Sequence, residues 1–187
     1  TQATNALIEG DVAHVGVVGV GPKGVGGWLA KAQTNMKDIN LGSGRFIHLH
    51  NRFICDEKLS DQLVTDTIKS LVGEGAQVIV SSESYGVDDM ENETGICAIA
   101  KNMGLEATAA SEITKLYGLT RRTRTAAINA SILPKMLNTA NSTEQSVRSA
   151  GVEVPLMIMR GDGGVMEISE MKKRPVLTML SGPAASV

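Results

Sequence analysis

Gly19-Val20-Gly21-Pro22-Lys23-Gly24 follows an apolar run and fits the GxGxxG spacing, in which bare backbone lets a pyrophosphate approach a helix N-terminus. The acid expected to hold a ribose at the end of the next strand is missing. That stretch offers His48, His50 and Asn51, with Asp56 too far along, so a mobile glycine loop is the favoured reading. His48 and His50, two apart on a strand, share one face and have the makings of a zinc site with Cys55 or His14 as third ligand. His14 belongs to another strand, and a solvated strand face is favoured over a metal. Glu83, Asp88, Asp89, Glu91 and Glu93 follow a strand, where α/β proteins place ligands; the plainer reading is an acidic helix start capped by Asp88 or Asp89. Arg160-Gly161-Asp162-Gly163-Gly164 reads as a tight turn whose successive N–H groups are able to hold an anion. Arg122, Thr125 and Asn129 share one helix face beside the apolar stripe Ala126, Ala130, Leu133 and Leu137. A solvent-facing triplet is preferred there over one that bonds a neighbouring loop.

The elements that must position these residues alternate. Helical sequence is expected over 1–9, 22–32, 59–74, 88–103 and 120–150, and strands over 12–18, 45–54, 76–80, 105–109 and 155–159. Pro134 must kink or divide the longest helix, and 138–142 is a second expected interruption. The stretches 19–27 and 42–44 read as glycine loops, and 169–173 as a helical turn before Pro175. Continuous apolar strands separated by helices imply an α/β fold, a mostly parallel sheet flanked by helices.

Composition bounds the function. The 187 residues carry a net charge of −2 and are 42% apolar, which suits one soluble domain and offers neither a nucleic-acid nor a membrane-surface footprint. No apolar run approaches the roughly 20 residues that span a bilayer. Cys55 and Cys97 lack CxxC spacing and read as free thiols in a reducing cytoplasm. With aromatics at 3%, the core must come from aliphatic residues and nine methionines, and stacking on bases or sugars is disfavoured.

The two ends read as cut. Ser181-Gly182-Pro183-Ala184 looks like a helix beginning, with Pro183 in its first turn and Ser181 as its cap, and the chain opens without Met in helix-like sequence. An excised piece of a longer protein is therefore expected, with 1–187 a single α/β fragment. TQATNALIEG at 1–10, the strand and acidic helix at 78–93, SEITKLYGLTRRTRTAAINASILP at 111–134 and MIMRGDGGVMEISEMKKRPVLTMLSGPAASV at 157–187 carry a resemblance. The chain resembles the A-type subunit of the hydantoinase/oxoprolinase family, least so over 19–52.

That resemblance implies an ATPase fold of the sugar-kinase, Hsp70 and actin type, in which two DxGGT loops hold ATP and Mg between lobes. No DxGGT occurs in this chain, and Asp162-Gly163-Gly164-Val165 departs from it, so no cofactor is expected for the fragment alone. The implied activity is ATP-dependent opening of a cyclic amide such as a hydantoin or 5-oxoproline, with a possible B-type second subunit. The fragment itself is expected to be inactive. The carboxylase branch and a non-catalytic interaction or regulatory module on the same scaffold are the alternatives. Matching positions nominate Thr4, Asn5, Arg122, Thr125, Asn129, Asp162, Gly163, Gly164, Ser181 and Gly182 as shaping an interlobe cleft, with catalytic residues unassigned. Sheet strands supplied by a preceding segment would leave an exposed edge and invite self-association.

Overall fold

The computed structural model describes residues 2–186, the side chain of Lys58 excepted. Thr1 and Val187, the outermost residues of the two terminal runs, lie outside the described residues. Two compact units are present: Ala13–Asn40 with Phe46–Ser131, and Thr1–Val12 with Leu41–Arg45 and Ile132–Val187.

The chain opens with α1 (Gln2–Glu9), which buries Ala3, Ala6 and Leu7, and then enters the sheet at β1 (Val15–Gly21). After α2 (Val25–Thr34) and a two-stranded ribbon, β2 (Ile39–Gly42) and β3 (Arg45–Ile47), it returns as β4 (Leu49–Cys55). Ser43 and Gly44 turn the ribbon with φ of 53° and 76°, the left-handed pair that a tight hairpin needs. The single strand expected over 45–54 is thus two strands broken at His48, the first pairing with β2 and the second with β1. Helix α3 (Asp61–Gly73), started by Ser60 accepting from Leu63 N, leads to β5 (Val78–Glu83). Helix α4 (Glu91–Asn102) then leads to β6 (Glu106–Ala109).

The sheet order is β4-β1-β5-β6, parallel throughout, so the expected α/β architecture holds. The chain first steps to one side of β1 and then back across to the other. Right-handed crossovers therefore put α2 on one face and α3 and α4 on the opposite one. On the latter face Val18, Val20, Ile68, Leu71, Ile79, Ile96 and Ala100 form the core. Cys97 lies within it, and burial pushes its thiol up to about 12, which makes it chemically inert.

The glycines of the first motif act by packing. Gly19 and Gly21 belong to β1 rather than to a loop, and a Cβ there would stand 2.3 Å from Thr34 Oγ1 or 2.8 Å from Ala30 Cβ. At Gly27 a Cβ would meet the Pro22 carbonyl oxygen at 1.8 Å. Bare backbone is what lets α2 lie this close to its strand.

A short α5 (Ala110–Ile113) precedes the long helix α6 (Leu119–Ser149). α6 runs through Pro134 and 138–142 undivided, so the interruption expected at 138–142 is absent and Pro134 does not divide the helix. The proline withdraws one backbone donor, but Ile132, Leu133, Met136 and Ala140 are all buried on either side of it and keep both halves packed. Beyond α6 lie β7 (Met157–Met159) and β8 (Val165–Glu167), then α7 (Ile168–Lys173), a 3-10 turn over Pro175–Thr178 and α8 (Ser181–Ala184). The 155–159 stretch was expected as a buried strand. β7 instead pairs only with β8, antiparallel, and Met157 is half exposed.

Candidate functional site

In an open parallel sheet, ligands bind outside the carboxyl ends of the strands where the strand order reverses. Here the reversal falls between β1 and β5, so the place to look is the space bounded by Gly21 and Pro22 on one side and Ser84 and Tyr85 on the other. A cleft of about 210 Å³ is present there, lined by Pro22, Gly26, Leu29 and Gln33 around α2, and by Ser84, Tyr85 and Tyr117. Ser84 Oγ is shielded from water and has no hydrogen-bond partner. Tyr85 holds a left-handed φ of 66°, rare for an aromatic residue, and its carbonyl accepts from Asp88 N at 2.8 Å.

The polar shell beneath this cleft is buried and well bonded. Arg122, 1% exposed, donates from Nη1 to the Leu116 carbonyl at 2.8 Å and from Nη2 to the Glu83 carbonyl. Burial lowers its guanidinium from the ordinary value, and Glu93 opposes that shift. Both oxygens of Glu93 are used: Oε1 accepts from Glu83 N and Oε2 from Ser111 N, each at 2.8 Å. Glu83 Oε1 accepts from Asn92 Nδ2 at 2.8 Å, while burial and the neighbouring Glu93 raise its carboxyl. Ser82 and Thr123 share a hydrogen bond at 2.7 Å on the other face of β5.

The acidic cluster therefore divides. Asp89 Oδ1 accepts from the N–H of Glu91, the first residue of α4, but the cap position is Met90 rather than either expected aspartate, and Asp88 receives the Tyr117 hydroxyl at 2.8 Å. Glu83 and Glu93 turn inward. The helix-face triplet divides too. Arg122 and Asn129 are buried, Asn129 Nδ2 reaching Thr108 Oγ1 at 3.4 Å, and only Thr125 is half exposed, bonding the Arg121 carbonyl of its own helix. The solvent-facing reading fails for the first two because each serves the carboxyl ends of the strands. Ser84, Tyr85 and Tyr117 were missed: the five nearby carboxylates drew attention, although position after a parallel strand would have singled out Ser84 and Tyr85.

In the other unit, Thr4, the 160–164 turn and the start of α8 come together. Thr4 Oγ1 accepts from Leu180 N at 3.0 Å, and Gly161 N donates to the Leu177 carbonyl at 2.8 Å. A Cβ at Gly161 would lie 1.9 Å from the Met179 carbonyl oxygen, so this position requires glycine. Asn5 is exposed. Leu180, at φ 60°, occupies the cap position of α8, and Ser181 is the first helical residue rather than the cap. Pro183 lies within that first turn, as expected.

These residues do not fit a triphosphate and magnesium. Within the glycine turn, Gly164 N donates to Asp162 Oδ1 at 3.1 Å and Gly163 N to the Arg160 carbonyl at 3.2 Å, while Asp162 Oδ2 pairs with Arg160 at 2.5 Å. The backbone N–H groups of Gly163 and Gly164 and the Asp162 carboxylate are thus engaged within the turn. Among the described residues no group of three metal-ligating side chains is set to hold an ion. No step of nucleotide chemistry follows from this part of the protein.

All three histidines of the chain gather at the opposite, amino end of the sheet. The ring of His14 lies 4.8 Å from that of His48 and 6.2 Å from that of His50, and His48 Nδ1 pairs with Asp38 Oδ2 at 2.8 Å. Glu74 faces His50 at 3.9 Å and is shared with Arg52. Cys55 ends β4, at the far end from His50, and among the described residues no three metal-ligating side chains are grouped, so the zinc alternative finds no ligand set here. Burial, then the other two imidazoles, lower His14 below its ordinary 6.5, with Asp38 in opposition. A histidine depressed in the fold stabilises above its unfolded value and loses that contribution as the pH falls through 6.5 towards the folded value. The melting midpoint is expected to drop between pH 7.5 and 5.5, and His14→Gln to shrink that drop; an unchanged pH slope in the variant would refute the assignment.

Residues 122–187 match the family described as hydantoinase/oxoprolinase, so the family resemblance read from the sequence stands over the stretch beginning at Arg122. Among solved structures the chain is similar to the ATP-dependent caprolactamase of Pseudomonas jessenii. The match has 20% identity and a TM-score of 0.68 and covers 100% of this chain and 29% of that one. It is likewise similar to nucleotide-free acetone carboxylase, at 17% identity and a TM-score of 0.68, covering 98% of this chain and 29% of that one. The chain spans less than a third of the length of either. No curated protein sequence matches it significantly.

Proposed function

We propose that these residues form part of an ATP-dependent subunit of the hydantoinase/oxoprolinase type that opens a cyclic amide. The observation that carries this reading is the family match over 122–187, which takes in Arg122, Asn129, the 160–164 turn and the Ser181–Ala184 helix; the fold match to caprolactamase supports it. In this reading ATP and Mg are held by DxGGT loops of the longer protein, on a sugar-kinase, Hsp70 and actin-like scaffold. Phosphoryl transfer from ATP to the amide oxygen would activate the ring carbon to attack by water, so that the C–N bond breaks and the former amide oxygen leaves with inorganic phosphate, charge stabilisation supplying most of the rate. Thr4, Asn5, Asp162, Gly163, Gly164, Ser181 and Gly182 in one unit would shape surfaces on the substrate side, and Arg122, Thr125 and Asn129 in the other would support such surfaces from beneath, the nucleotide being left to the DxGGT loops. A B-type second subunit and a cytoplasmic location belong to the same proposal; among the described residues no helix is long and apolar enough to cross a membrane.

The test is phosphate release by the full subunit, with Mg-ATP and a panel of hydantoin, 5-oxoproline and ε-caprolactam. Turnover dependent on one ring supports the reading. Turnover that needs only a protein partner would overturn it in favour of an interaction module. The equal likeness to acetone carboxylase supports a second reading, a carboxylase acting on a ketone, and bicarbonate-dependent turnover with acetone would select it.

A further inference from the structure

Helix α2 turns apolar side chains outwards. Val25 is 85% and Trp28 71% exposed, although aromatic residues are scarce in this chain and Trp28 is its sole tryptophan. A patch of this kind marks a contact surface, and tryptophan is among the side chains that most often anchor one. Lys31, three residues beyond Trp28, is the one charged residue of α2 and makes no ion pair among the described residues. The opposite face of the same unit carries the complement. A groove of about 380 Å³ runs between α3 and α4 over a floor of Leu59, Val64, Ile96 and Ile99. Gly95 and Ala98 lie exposed along it, and a Cβ at Gly95 would meet nothing within 4 Å, so a large side chain has room there. Asp61 and Glu91 line the groove, neither carboxylate is paired among the described residues, and no lining residue is cationic.

The spacings of the two surfaces match. Glu91, Gly95 and Ala98 share one face of α4, and Val25, Trp28 and Lys31 share one face of α2. Laid antiparallel, α2 sets Val25 on Ala98, Trp28 on Gly95 and Lys31 on Glu91. At a rise of about 1.5 Å per residue, Trp28 and Lys31 stand ~4.5 Å apart along the axis and Gly95 and Glu91 ~6 Å apart, so one register serves all three pairs. Pairing α2 with α2 across a two-fold axis would instead leave both Lys31 side chains without a carboxylate. We propose that a second copy of this chain docks its α2 into the α3–α4 groove of the first, with Trp28 over Gly95 and Lys31 on Glu91. The two surfaces lie on opposite faces of the sheet, so the contact is head-to-tail. Every pair keeps one free surface of each kind, and association runs on beyond the dimer. The contact is made by helices, and the sheet edges play no part. One helix in one groove is a small interface, so binding is expected at about micromolar strength or weaker.

The experiment is sedimentation velocity of the full subunit, from roughly micromolar to submillimolar concentration. The sedimentation coefficient should rise with concentration past the dimer value and fall back in high salt. Trp28→Ala and Gly95→Leu should each stay monomeric alone. Both should keep the melting midpoint, since the first side chain stands in solvent and leucine favours the helix. Mixed in equal amounts, the two variants should form dimers and nothing larger, because one keeps its groove and the other its tryptophan. Lys31→Glu should weaken association about fivefold, and adding Glu91→Lys to the same chain should restore it. Should Gly95→Leu lower the melting midpoint, the charge swap carries the test alone. A monomer at every concentration, a variant that associates like the unaltered subunit, a mixture that stays monomeric or a swap that restores nothing would each overturn the proposal. So would association of the unaltered subunit that stops at a dimer, the mark of a two-fold contact.

Discussion

Arg122→Ala is expected to cost about 3–5 kcal/mol of folding stability, the range seen when one partner is removed from a buried polar network. The side chain is 1% exposed, and it reaches three carbonyls: Leu116 at 2.8 Å, Tyr117 at 3.5 Å, and Glu83. Truncation strands those oxygens in a cavity and leaves buried Glu93 without its facing cation. Arg122→Lys separates geometry from charge. One ammonium keeps the positive charge but cannot span carbonyls on both sides, so a loss of about 2 kcal/mol should remain. Denaturant unfolding measures both variants. Hydrogen exchange should show protection lost at 83–88 and 115–119 before it is lost in α3. A change below about 1 kcal/mol in the alanine variant would mean that the carbonyls are satisfied without the guanidinium.

The sheet and its helices were legible because their patterns are local. Val78, Ile79 and Val80 form an unbroken apolar run that only a strand buried on both faces needs, and the spacing of Val64, Ile68 and Leu71 marks α3 as a helix. What failed depended on contacts distant in sequence. Gly19 and Gly21 look like a flexible loop until Thr34 and Ala30 are found lying on them. Pro134 looks like a break until the buried residues on both sides are seen to hold the helix. His14 could not be related to His48 and His50, since the register Val15↔Leu49 that brings them together is set by the whole parallel pair. Arg122 and Asn129 were nominated on family likeness, and an arginine on a helix face reads as solvated unless the strand ends beneath it are known. The candidate cleft was less legible still, because a switch point is a property of strand order and no local motif encodes it.

Glu93→Gln changes little in shape and is nonetheless expected to cost about 2–3 kcal/mol. The two carboxylate oxygens accept from Glu83 N and Ser111 N at 2.8 Å, and the residue is fully buried. An amide offers one acceptor, so its NH₂ must face a backbone N–H. The Ser111 hydroxyl beside this carboxyl can accept from the NH₂, yet one of the two backbone N–H groups still loses its acceptor. Burial already raises this carboxyl, with the two N–H bonds pulling the other way, so the carboxylate is retained for its geometry. Glu93 takes the amide of Glu83 while Arg122 takes its carbonyl, so together they clamp one residue from both sides. The next residues are Ser84 and Tyr85, the wall of the cleft. Losing either clamp frees the Glu83 backbone, and the second loss then costs less than it would alone. A cycle of Glu93→Gln, Arg122→Ala and the double variant should therefore show a coupling of about 1 kcal/mol or more. Strict additivity would mean that the two side chains stabilise separate parts of the unit and that the cleft wall is held by its own turn.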